Sequence, residues 1–177
     1  MMSKSRNLGW PPVQINQRIE AHKNLARVVQ RANVEEVFSA DPSVSDELNR
    51  ALARYLVVRS AGLLEAVRDD SASLHAKQIG PPRLFNRISG GLRTGQGVRP
   101  EQLIAFFKSF DPVWASALTE FLNYNDSKRS NDLGALVSAR VKIAHGDGEQ
   151  VTLRKALSWS DTTIEVSEKI VEIFDPR

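Results

Sequence analysis

The sequence predicts an all-α fold, a helical bundle of four main helices with shorter helices inserted between them. Three observations carry this. Apolar residues recur at steps of three and four, the period of one helix face. Sustained apolar/polar alternation, the mark of a half-buried strand, is nearly missing. Helix-starting and helix-stopping residues stand at the ends of the periodic stretches. At 177 residues the chain fits one domain, large enough to bury roughly two-thirds of its unfolded surface without disulfides or metals. No internal repeat interrupts it. Residues 1–12 read as an N-terminal tail and 13–177 as the single domain.

The first helix is expected from Val13 to Phe38, with Ile15, Ile19, Leu25, Val28 and Val29 as its apolar positions. Asp41-Pro42-Ser43 ends it, because proline disfavours helical geometry in its predecessor. The second is expected to start near Ser45, a candidate N-cap, and to reach Asp69. Its inner stripe reads as Leu48, Leu52, Tyr55, Leu56, Leu63 and Val67. Apolar nearly all round in its middle, this helix is expected at the centre of the bundle, where Arg59 and Glu65 need partners. Shorter helices follow at 100–109, with proline at the first turn, and at 112–124. Residues 123–130 read as a polar loop. Asn131 or Asp132 can cap the next helix, which ends at His145 with Gly146 as the left-handed terminating residue. A short helical piece at 153–157 and a last helix at 161–174 close the chain, the latter on Ile164, Ile170, Val171 and Phe174.

Composition narrows the function. Cysteine is absent, which removes thiol nucleophiles, cysteine-zinc sites and disulfides, and suits the reducing cytoplasm. The start lacks an apolar core of the signal-peptide kind, and the longest apolar stretch is broken by Arg59 and Glu65, so neither a signal peptide nor a membrane span is expected. With 24 basic and 21 acidic residues, overall charge is a weak pointer to a polyanionic partner, and its distribution says more. From Ser71 to Pro100 there are Lys77, Arg83, Arg87, Arg93 and Arg99 and no carboxylate. Gly80, Gly90, Gly91, Gly95 and Gly97, with Pro81, Pro82 and Pro100, divide this stretch into short helical pieces and loop. It can follow a phosphate backbone through Arg87 and Arg93, or be an ordinary solvated loop.

Two residues near the end of the helix from Asp132 stand out. Arg140 shares a stripe with Leu133, Leu136, Val137 and Ala144, so a guanidinium points inward. It can pair with a carboxylate such as Glu65 and lock two helices together. His145 stands in the final turn and can exchange a proton near neutral pH, or simply cap the helix. The two are separated by about 140° around the helix and about 7.5 Å of rise. A shared site therefore needs the reach of the arginine, an altered last turn, or a second copy of the chain.

LVSARVKIAHG, with its Arg-x4-His-Gly arrangement, resembles the end of the catalytic helix in HEPN ribonucleases. RYLVVRSAGLLEAV resembles the central helix of the RiboL-PSP type of that superfamily, in which Glu65 matches an acidic position near the site. The resemblance spans roughly Ser45 to Phe174, with a poorly matched middle. It implies metal-independent RNA cleavage without a cofactor, by attack of the ribose 2′-hydroxyl on the adjacent phosphate. In it Arg140 holds the phosphate, Glu65 orients Arg140 and His145 moves protons, a step typically worth about 10²- to 10⁴-fold. It further implies a homodimer sharing the site, a toxin or defence role, and an antitoxin or inhibitor as partner. Arg59 and Lys142 are further candidate RNA contacts, with helix pairing and solvation as their ordinary alternatives. One departure is Val141, where many family members carry a polar residue, and it favours a binding module that holds RNA or protein without cutting. A purely structural helical protein, with Arg140 as a tie and His145 as a cap, is the third reading.

Other patterns carry less. GGLRTGQG at Gly90–Gly97 lacks the lysine and hydroxyl of a phosphate loop. His145, Asp147 and Glu149 alternate on one glycine-containing turn, a poor metal site. His22 and His75 lack partners at metal-binding spacing, and Trp10, Trp114 and Trp159 read as core or interface.

Overall fold

The computed structural model describes residues 10–36, 42–81, 97–146 and 151–176. Among these, six helices and no strand form: α1 Val13–Glu36, α2 Pro42–Ile79, α3 Pro100–Lys108, α4 Pro112–Asn123, α5 Lys128–Ala144 and α6 Leu153–Ile173. No described helix is long and apolar enough to cross a membrane. The α2 helix packs most extensively against α6, and also against α1 and α5. The α3 and α4 helices pack on each other and reach α5.

The α2 helix departs most from expectation. It starts at Pro42 rather than near Ser45, because proline's fixed φ and missing N–H suit a first helical turn. It also continues past Asp69 to Ile79. Its inner face persists there as Ser71, Ala72, His75 and Ala76, all buried, so the helix goes on while its hydropathic signal fades. His75 Nδ1 donates to the Phe174 carbonyl at 2.7 Å. The expected stripe is corrected too: Ala53, Leu56, Val57, Ser60, Leu64 and Val67 face the core, while Leu48 and Tyr55 are 47% and 51% exposed. Val28 of α1 is likewise exposed, whereas Ile15, Ile19 and Val29 are buried.

Two further expectations change. The α5 helix begins at Lys128 after a turn in which Asn125, Asp126 and Ser127 have φ of 58°, 56° and 58°, a conformation asparagine and aspartate tolerate better than most residues. Asp132 lies inside the helix instead of capping it, accepting from Lys128 Nζ at 2.6 Å and Thr162 Oγ1 at 2.8 Å. The separate pieces expected at 153–157 and 161–174 are one helix. Ser160, Thr162, Thr163 and Ser167 are buried in it, so its inner face is lined partly by hydroxyls that hid the apolar period. Trp10, which falls within the expected tail of residues 1–12, is buried and donates its Nε1–H to the Val171 carbonyl at 2.8 Å.

Candidate functional site

The α5 helix lays Leu133, Leu136 and Val137 into the core, and that rotation carries Arg140 to the seam with α2. There its guanidinium meets Glu65 as a two-pronged pair: Nη1 to Oε1 at 2.9 Å and Nη2 to Oε2 at 3.3 Å. The side chains are 38% and 30% exposed, so the pair sits at the rim of the interior. A planar fork on a carboxylate fixes the guanidinium in angle as well as position. Arginine carries five N–H donors, so the fork can face outward on another anion while Glu65 holds it. Of the expected site residues, the structure brings together these two.

His145 is exposed and caps α5. Its backbone N–H bonds the Val141 carbonyl at 3.1 Å, and Gly146, at φ 78°, bonds the Ile143 carbonyl at 3.2 Å. The last turn is therefore regular, and the offset of about 140° between Arg140 and His145 is kept. Of the three ways of joining them, an altered last turn is removed. Lys142 is exposed on the His145 side of α5. Arg59 is exposed on α2, and six residues of helix turn it about 240° from Glu65.

The basic side of the site gains a residue that the sequence marked only as one of a run. Arg99, the N-cap of α3, places Nη2 3.2 Å from Ser138 Oγ on α5. Ser138, Lys142 and His145 share a face at spacings of four and three residues, so Arg99 adds a guanidinium to the face that carries them. Its backbone is held from below. Arg68, only 2% exposed, donates Nη1–H to the Gly97 carbonyl at 2.9 Å, pairs with Asp69 at 2.7 Å and lies over the Phe106 ring. A Cβ on Gly97 would run into the Gln102 side chain, whose Oε1 accepts from the Arg99 N–H. The absence of carboxylates from 71 to 100 was the signal available for Arg99; nothing in the sequence singled out Ser138.

Arg87 and Arg93 lie outside the described residues, as do Asp147 and Glu149. Among the described residues no group of three or more His, Asp or Glu side chains could hold a metal ion.

A second histidine cluster is buried. His22 Nε2 lies 3.0 Å from Ser160 Oγ and 3.2 Å from Ser60 Oγ, where α1, α2 and α6 meet. Burial, with a smaller contribution from the Arg59 charge, lowers the His22 pKa to about 4. At 4% exposure this serine-histidine arrangement has no access for a substrate and belongs to the core.

No family model, curated protein or solved structure matches this chain. The HEPN resemblance rests on Arg140, His145, Glu65 and their helical context.

Proposed function

We propose that this chain is a HEPN-type endoribonuclease that cuts RNA without a metal, acting as a toxin or defence effector held in check by an inhibitory partner. The observation that carries the reading is the Glu65–Arg140 pair across α2 and α5, with His145 exposed at the end of the same helix. In this reading Arg140, oriented by Glu65, binds the scissile phosphate and stabilises the charge that grows on its oxygens. His145 takes the 2′-hydroxyl proton as that oxygen attacks phosphorus. The bond from phosphorus to the 5′-oxygen breaks, the leaving oxygen takes a proton, and a 2′,3′-cyclic phosphate remains. Arg99 and Lys142 supply phosphate contacts on the His145 face, with Arg87 and Arg93 as further contacts.

One observation favours a second reading, RNA binding without cleavage. The regular last turn of α5 keeps Arg140 and His145 on different faces, with Val141 exposed between them. The test is cleavage of a mixed RNA pool in excess EDTA by wild type, His145→Ala and Arg140→Lys, with the new ends assayed for 2′,3′-cyclic phosphate. Cutting by wild type with cyclic ends, and a loss of about 10²-fold or more in His145→Ala, is expected. RNA retention on a filter with no cutting by any of the three moves the assignment to the binding module.

A further inference from the structure

The middle of α2 shows solvent charges of one sign. From Leu48 to Leu64 the sequence holds Arg50, Arg54 and Arg59 and no carboxylate, and all three arginines are exposed. Elsewhere on the described helices Arg18, Arg129 and Arg140 each pair with a carboxylate. Arg50, Arg54 and Arg59 pair with none among the described residues.

Tyr55 stands among them, 51% exposed. It lies one turn before Arg59 and about 100° around the helix from Arg54. Among the described residues no other ring or cation lies over its ring. The surface beside it is low and open: Ala51, Val58 and Gly62 are exposed, and a Cβ on Gly62 would meet nothing within 4 Å. Arg54 and Glu65 stand within about 20° of each other around the helix and about 16 Å apart along it. Arg54 is therefore in line with Arg140, which Glu65 holds.

An exposed ring between unpaired cations suits a single nucleic-acid strand, whose bases stack on aromatic faces while arginines meet its phosphates. An apolar partner laid here would cover three arginines without neutralising them, which is costly; a polyanion neutralises them. We infer that the outer face of α2 is a track for single-stranded RNA, with a base stacked on Tyr55 and the flanking phosphates on Arg54 and Arg59. From there the strand runs over Val58 and Gly62 to Arg140, a distance of about five stacked nucleotides. A duplex does not use the ring in this way, because its bases are already stacked on one another. The inference rests on the reading of the chain as an RNA-binding protein and is independent of cleavage.

Fluorescence anisotropy with a labelled 2′-O-methyl oligonucleotide of mixed sequence tests it, because a methylated 2′-oxygen cannot attack phosphorus and binding is read apart from cutting. Tyr55→Ala, with circular dichroism as the control for folding, is expected to bind at least about fivefold more weakly, the lower end of what one stacked base contributes. Tyr55→Phe, which keeps the ring, is expected to bind as wild type does. Arg54→Ala and Arg59→Ala should each flatten the slope of log affinity against log salt by about 0.7. Arg154→Ala, at an exposed position of α6, should leave that slope unchanged. A wild type that does not bind the oligonucleotide overturns the track and the RNA readings above together. Wild-type binding that Tyr55→Ala leaves unchanged, a Tyr55→Phe variant as weak as Tyr55→Ala, or equal flattening by Arg154→Ala overturns the track alone.

Discussion

His22 shows how much one residue can commit a fold to a pH range. Its ring nitrogen touches two serine hydroxyls where three helices meet, and Arg59 adds a positive charge nearby. Burial keeps it unprotonated until about pH 4, whereas in the unfolded chain it takes a proton near pH 6.5. Its folded pKa is depressed, so the stability it contributes is full above pH 6.5 and is lost as pH falls from there to about 4, because the unfolded state binds the proton first. The amount is on the order of 3 kcal/mol. His22→Gln can still bond both hydroxyls and does not titrate. Urea unfolding at pH 7 and pH 4.5 should show a smaller acid loss in the variant, by about 2–3 kcal/mol. Equal losses in both proteins would remove His22 from the acid response. None of this was legible in the sequence, where His22 is a lone histidine and its hydroxyl partners lie far along the chain.

At the scale of the helix, the ends of α5 divide what residue types announce from what they conceal. Gly146 was read as the left-handed stop, and its φ of 78° agrees. With open space around a Cβ there, Gly146→Ala should cost only backbone strain, about 1 kcal/mol, read as a lowered thermal midpoint with the helical circular dichroism unchanged. The start was misread because Asn131 and Asp132 have capping side chains, yet three left-handed residues at Asn125–Ser127 begin the helix earlier and Asp132 serves Lys128 and Thr162 instead. Helix α2 was misread on its inner face for a related reason. A helix apolar all round offers two solutions, and only the arrangement of α1, α5 and α6 chooses between them. The Glu65–Arg140 pair was legible, because a charge on each of two otherwise apolar stripes leaves few other ways to satisfy both. The geometry between Arg140 and His145 followed from helix periodicity alone, and the regular last turn preserved it.

Across the whole molecule, aromatic side chains of α2, α3, α4 and the turn between α3 and α4 close on Phe174 at the end of α6. Its ring centroid lies 5.0 Å from Phe107, 5.3 Å from Trp114, 5.5 Å from Phe110 and 5.6 Å from His75. Phe174 is fully buried, and Phe174→Ala should cost about 3–5 kcal/mol in urea unfolding. A loss below about 1 kcal/mol would mean that the cluster does not tie the helices together. The all-helical class was readable from periodicity, but not which helices are neighbours, because α2 finds its most extensive partner in α6 across everything between Ile79 and Leu153. That pairing bears on synthesis. At about 5–20 residues per second, several seconds pass between the release of α2 from the ribosome and the appearance of α6. Until α5 follows late in that interval, α1 is the only partner of α2's inner side already made, so the order of manufacture, rather than the finished contacts, sets when this protein is most open to wrong partners.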